Sequence, residues 1–318
     1  MINVTVSSKE LQTFISSILN VDRSGVSLKF FPDFVEALVL SEDNSSVILY
    51  TKLNILEMTG METDELVIHV KDLTKMQKLL DMNNGETFTF SIRDNHIYFE
   101  NDMVKGAKFM LADRPSKTVN ARVNVQWFNS FEKTSRMKIS KPVVKSIIQC
   151  SSFTSDDANK VYVYQDVEKR YREVNEGETA THVYDEQLKK FRLPTKKEVV
   201  IEEKVVIDDE VVIEEKVVIV EEEPTHVEYV VDVAIAEIND RTKNNLDMMS
   251  IYIGDIESGK MEGKVILNVA TLSRLFLADE MTLETSFIGQ GVSRTEIVFL
   301  SFTNDNVSVR YLLNTLRS

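Results

Sequence analysis

Gly254-Asp255-Ile256-Glu257-Ser258-Gly259-Lys260 has the glycine and lysine spacing of a loop that cradles phosphate. The chemistry would be nucleotide binding, with backbone N–H groups and Lys260 facing the phosphates. Met261, however, stands where a magnesium-binding Ser or Thr is required, and Lys264–Val269 continues as a strand pattern rather than a helix. Asp255 and Glu257 would also repel a phosphate, so a hairpin turn is expected there. His69, His96, His182 and His226 are scattered without metal-ligand spacing, and no metal site is expected. Cys150 lies in an apolar helix pattern with no base beside it, which predicts a core residue. A serine-hydrolase elbow and a dinucleotide fingerprint are both missing from the sequence. Without a set of nucleophile, base and metal ligands, the chain is expected to be no enzyme and to need no cofactor.

The other residues able to do chemistry are basic. In Leu66–Leu80, a strand pattern at Val67-Ile68-His69-Val70 runs into a helix with Leu73, Met76 and Leu80 on one side. Lys71, Lys75 and Lys78 are spaced i, i+4 and i+7 and share another side. Val265–Leu275 echoes this unit, with Val269 set against Val70, Leu272 against Leu73, Leu275 against Met76 and Arg274 against Lys75. Lys141 and Lys145 lie opposite the stripe Val143, Val144, Ile147 and Ile148, and Lys9 lies off the stripe Leu11, Phe14, Ile15, Ile18 and Leu19. Each set alone is an ordinary solvated face. If the four helices share one side of the sheets, Lys9, Lys71, Lys75, Lys78, Lys141, Lys145 and Arg274 make a positive surface that attracts phosphates without reading bases.

The elements that must position these groups form an α+β pattern. In residues 1–112 a strand, a helix opening on Ser7 with Glu10 three residues on, three antiparallel strands, the lysine-bearing helix and three more strands follow in order. Residues 113–135 carry Val119, Val123, Val125, Trp127 and Phe128, which predicts an ordered linker. The first pattern then restarts over 136–318, as an internal duplication does. It is interrupted at about 168–228, where Glu198–Ile219 repeats with a period of six, Val-Val-Ile runs alternating with acidic pairs. A low-complexity loop expansion, a hairpin or stacked-strand protrusion, and an acidic tether are all compatible with that repeat; the first is the expectation taken.

The chain has 318 residues, 43% hydrophobic, and a net charge of −14, normally a sign against nucleic-acid binding. Residues 198–223 hold eleven Asp/Glu and two Lys, a net of −9, which leaves only −5 for the rest. One cysteine excludes an intramolecular disulfide. No signal peptide or apolar membrane span is read, so a soluble intracellular protein is expected.

The ordered series of segments resembles the DNA sliding clamps. The residues that carry it are Ala112-Asp113-Arg114-Pro115-Ser116-Lys117-Thr118-Val119, Lys138-Ile139-Ser140, Leu246–Asp255 and the terminal Val309-Arg310-Tyr311-Leu312-Leu313. The general type is proliferating cell nuclear antigen, and the clamp of T4-like bacteriophages is the nearest in pattern. The resemblance covers nearly everything outside 168–228 and implies the DNA clamp fold: two similar domains, each with two helices packed on antiparallel sheets, closing as a homotrimeric ring. It implies a non-enzymatic processivity factor that encircles double-stranded DNA without sequence preference, tethers the replicative DNA polymerase and is opened by an ATP-dependent clamp loader. Transcription or repair partners, and the host cytoplasm of a bacteriophage, are further implications. The helices would line the DNA. Val104, Lys108 and Met110 of one chain would meet Met248, Ile251 and Ile253 of the next, and Trp127, Phe128, Tyr311 and Leu312 would form a partner-peptide pocket. A monomeric clamp-like DNA-binding factor and, from another class, a structural or adhesion protein using the acidic repeat are the competing readings.

Overall fold

The computed structural model describes residues 1–41, 46–101, 103–115, 125–151, 160–186, 188–207, 210–242, 245–288 and 295–314, with backbone alone at 125 and within 197–216 and 239–248. Residues 116–124 of the expected linker fall outside them. The chain divides into two units, Met1–Asp166 with Val233–Ser318, and Val167–Asp232.

The first unit opens with β1 (Ile2–Ser7), α1 (Ser8–Leu19), β2 (Val26–Phe30), β3 (Phe34–Leu40), β4 (Val47–Asn54), β5 (Glu57–Thr59) and β6 (Leu66–Val70). It continues with α2 (Leu73–Asp81), β7 (Thr87–Arg93), β8 (His96–Phe99), β9 (Ala107–Met110), the short α3 (Val125–Asn129), β10 (Lys133–Ser140) and α4 (Lys141–Cys150). β11 (Lys160–Glu173) runs into the second unit, which holds β12 (Val183–Asp185), β13 (Lys190–Arg192), β14 (Lys196–Ile207) and β15 (Glu210–Glu221). β16 (His226–Thr242) returns to the first unit, followed by β17 (Asn245–Gly259), β18 (Val265–Asn268), α5 (Val269–Arg274), β19 (Glu280–Ile288), β20 (Thr295–Thr303) and β21 (Val307–Asn314).

Strands of alternating burial, as in β2 and β4, bury one face and wet the other, the period-2 pattern their β-branched and aromatic residues predict. Their pairing gives a five-stranded sheet ordered β5-β1-β7-β8-β9 and a twelve-stranded sheet ordered β18-β11-β16-β17-β10-β19-β20-β21-β4-β3-β2-β6. The seam between the halves is β21 on β4, from Val307 opposite Leu53 to Leu313 opposite Val47. One hydrophobic core runs through both halves, from Val4 and Phe14 to Tyr311 and Leu313.

Several local expectations change. Ser7 is the N-cap of α1, but its side chain makes no capping hydrogen bond. The phosphate-loop look-alike is not a hairpin turn: Gly254–Gly259 is the last part of β17, with Ile256–Gly259 paired to β10, and Lys260 follows the strand end. A Cβ at Gly254 would come 2.7 Å from the Lys138 carbonyl oxygen, and one at Gly259 (φ +77°) 2.0 Å from that of Thr134. These glycines let two backbones approach, which explains their spacing without phosphate. β10 also begins at Lys133, inside the span read as linker.

The second unit has no fully buried residue among those described. Tyr171 stacks on Phe191 with centroids 4.4 Å apart, His226 meets the same ring at 4.9 Å, and Arg172 forks onto both oxygens of Glu178 at 2.6 Å. The acidic repeat is a regular hairpin in this unit, paired from Lys196 opposite Glu221 to Ile207 opposite Glu210, and not a loop expansion.

Candidate nucleic-acid interface

The helices position the basic residues through their buried sides. α1 buries Leu11, Phe14, Ile15, Ile18 and Leu19; α2 buries Leu73, Met76, Leu79 and Leu80; α4 buries Val144 and Ile147; α5 buries Val269 and Leu272. That leaves Lys9, Lys75, Lys78, Lys145 and Arg274 exposed. α1 packs against α2 and α4 against α5. The end of α1 and α5 line one cleft of about 540 Å³, through Leu19, Asn20 and Arg23 on one side and Ala270, Thr271 and Arg274 on the other. The helices are thus neighbours in the series α2, α1, α5, α4.

Two helices are capped by side chains. Asp72 Oδ1 accepts from the Thr74 N–H at 3.0 Å and from the Thr74 hydroxyl. The hydroxyl bond holds the Asp72 carboxyl below the usual carboxylate range, aided by the backbone N–H and by Lys75 and Lys78. Asn268 Oδ1 accepts from the Thr271 N–H at 3.1 Å. Aligning the two caps corrects the sequence echo by three residues: Leu73 matches Val269, Met76 matches Leu272, and Lys78, rather than Lys75, matches Arg274. A three-residue slip turns a helix by only about 60°, so the apolar stripe survives it and hides the error. Lys71 precedes the Asp72 cap and lies outside α2, so it does not share a helix face with Lys75 and Lys78.

Of the seven basic residues, Lys141 alone has an ion pair among the described residues, with Asp279 at 3.9 Å, a carboxylate fully in water. Arg23 was not legible as part of this surface. It follows α1 in a turn, Asp22 Oδ1 accepting from the Ser24 N–H at 2.7 Å, and only the fold brings it to the cleft that Arg274 lines.

The expected partner pocket is filled by the chain itself. Phe128 of α3 is fully buried, 6.2 Å from the Tyr50 ring and 5.5 Å from Phe299. Tyr311 is sealed in the main core, where its hydroxyl donates to the Phe276 carbonyl at 3.3 Å and burial pushes its phenol far up. Leu312 is 1% exposed. These three offer no surface to a partner. Trp127 is half-buried, edge-on to Phe131 at 4.8 Å, and Arg310 donates to Asn129 Oδ1 at 2.6 Å, pinning α3 down. Beneath this patch the Lys133 ammonium lies 2.9 Å from the Phe299 centroid with no hydrogen-bond partner, and burial pulls its pKa down to about 8.

The residues expected at the subunit contact lie on two strand edges. β9 is the outer strand of its sheet, with Lys108 exposed and Met110 67% exposed, while Val104 packs on the core. β17 pairs with β16 from Asn245 to Asp255, and β10 joins its other side only from Ile256 to Gly259. Ile251 is half-buried along the stretch that β10 does not cover. Ile253 is a core residue, so only its backbone could serve a neighbour. The Met248 side chain lies outside the described residues.

No protein-family model and no curated protein matches the chain. Solved structures do. Proliferating cell nuclear antigen (PCNA) of A. fulgidus, solved with the C-terminal region of FEN-1 bound, superposes with a TM-score of 0.58 at 11% identity, covering 100% of this chain and 99% of that one. PCNA from Thermococcus kodakaraensis matches with a TM-score of 0.58 at 12% identity over 99% and 100% of the two chains. PCNA from Entamoeba histolytica gives 0.58 at 9%, over 99% of each. The chain has the fold of a PCNA-type DNA sliding clamp.

Proposed function

We propose that this chain is a non-enzymatic sliding clamp that encircles duplex DNA and tethers a DNA polymerase for processive synthesis. The observation that carries the proposal is the series of four helices whose exposed cations, Lys9, Lys75, Lys78, Lys145, Arg274 and the adjoining Arg23, stand on a chain of net charge −14 with this fold. Such a face holds phosphates loosely while the acidic remainder rejects nonspecific contact, which suits sliding better than tight binding does. Three copies close a ring, β9 of one pairing with the 245–253 edge of β17 in the next. Two domains, 1–112 and 136–318, repeat the fold within each copy, joined by the linker 113–135. An ATP-dependent loader opens the ring, and a partner segment docks beside Trp127 and Phe131, over the face that α3 covers; transcription or repair proteins could use the same face. The sequence pattern near the T4-like clamps suggests a bacteriophage protein acting in the host cytoplasm.

The test is retention on DNA. With Lys75, Lys78, Lys145 and Arg274 changed to Glu, the protein is expected to keep its fold and oligomeric mass but to lose most retention on nicked circular DNA. Unchanged retention at low salt would overturn the assignment of the helical face.

A further inference from the structure

The hairpin β14–β15 lies in the second unit and has no counterpart in the duplicated frame. Its two strands pair only with each other, in one uninterrupted register of twelve rungs. Among the described residues both outer edges are unpaired. Proteins ordinarily blunt such edges with short strands, bulges, prolines or charged side chains, and only the last is present along these strands. Here the strands are long and the register is unbroken, and the nearest prolines, Pro194 and Pro224, flank the hairpin without interrupting it.

The base of the hairpin is fixed. The Arg192 guanidinium donates to Glu222 at 2.6 and 2.9 Å and to Asp185 at 2.9 Å, and Lys196 pairs with Glu221. An edge held this way is ready-made, so a third strand would bind without the cost of ordering the first two. β-Branched residues stand in water next to it: Val217 is 58% exposed and Ile219 61% on one face, and Val220 45% on the other.

Charge selects the occupant. Residues 198–223 carry a net −9. Glu202 sits opposite Glu215 and Glu203 opposite Glu214 in the register, like charges on two successive rungs. Edge-to-edge pairing of two copies would set −9 against −9, and nucleic acid is repelled by the same sign. We propose that the hairpin edge is a docking strand for an extended lysine- or arginine-rich segment of a partner protein, which adds to it as a third β-strand. Main-chain hydrogen bonds supply the affinity and side chains on alternate faces the selectivity.

The test uses the full chain and three labelled twelve-residue peptides in a binding titration: alternating Lys-Val, alternating Lys-Gly of equal charge, and alternating Glu-Val. Lys-Val is expected to bind at least about tenfold more tightly than Lys-Gly, to weaken with salt, and to slow hydrogen exchange of amides within 196–221. Glu-Val should not bind. A variant with Glu202, Glu203, Glu214 and Glu215 all changed to Lys keeps the β-branched runs and should lose Lys-Val binding. Equal affinity for Lys-Val and Lys-Gly would reduce the site to counter-ion attraction and overturn the strand addition. So would binding unchanged by the four substitutions, or self-association of the native chain that depends on the hairpin.

Discussion

Lys133 stands in an environment far from its ordinary one. A cation beneath Phe299, without a hydrogen-bond partner, is costly to keep charged, and its pKa falls from 10.5 to about 8. Because the folded pKa is depressed, the folded state pays the full penalty below about pH 8, and the penalty is relieved as pH rises toward 10.5. Lys133→Met is therefore expected to stabilise the protein at pH 7 by about 1 kcal/mol, after discounting for the solvent that still reaches the side chain. That gain should shrink through the alkaline window; chemical denaturation at pH 7 and pH 10 would check both. Asp72 shows the opposite sign. Its carboxyl is held low by Thr74, so its contribution is complete above the ordinary carboxylate range and is lost as pH falls through the folded value. Asp72→Ala should cost about 1 kcal/mol near neutrality, and the difference from the native protein should vanish in acid.

At the scale of elements, the second unit is an insertion between two strands that are already neighbours. β11 and β16 lie side by side in the large sheet, and the main core includes none of the described residues of 167–232. Replacing 167–232 by a short turn is expected to leave the melting of the first unit within a few degrees of the native value; collapse of its cooperative transition would show that the hairpin unit supports it. Helix and strand positions were legible because their apolar stripes are long and regular, as in Leu11, Phe14, Ile15 and Ile18. The caps were less so, since the Ser7–Glu10 spacing does not reveal whether Ser7 Oγ makes a bond, whereas Asp72 and Asn268 do the capping. Two other features depend on distant chain: Gly254 and Gly259 are required by the carbonyls of Lys138 and Thr134 in β10, and Tyr311 is a core residue whose hydroxyl reaches the Phe276 carbonyl. Among the basic residues, Arg23 reaches the cleft lined by Arg274 from a turn that no apolar stripe marks, and Lys71 falls outside its helix.

At the scale of the whole molecule, the proposed ring depends on two edges that the chain leaves uncovered. Among the described residues β9 pairs with β8 alone, and β17 has no second strand partner from Asn245 to Ile253. Two such edges on one chain suit a head-to-tail contact that closes by rotation. Lys108 and Met110 stand exposed on the first edge, so they can be changed without opening the core. Phe109 packs on the core and is left intact. Met110→Pro removes a backbone donor and bars a continuous ladder, while Lys108→Glu alters charge alone. Light scattering should give the mass of three chains for the native protein and of one chain for the double variant, with an unchanged circular-dichroism spectrum. The monomeric variant should still bind short linear duplexes weakly, because its helical face is intact, but slide off or fail to load on circular DNA. A native protein that runs as a single chain near physiological salt, yet stays on circular DNA, would favour a clamp that grips as a monomer and would remove the need for either edge.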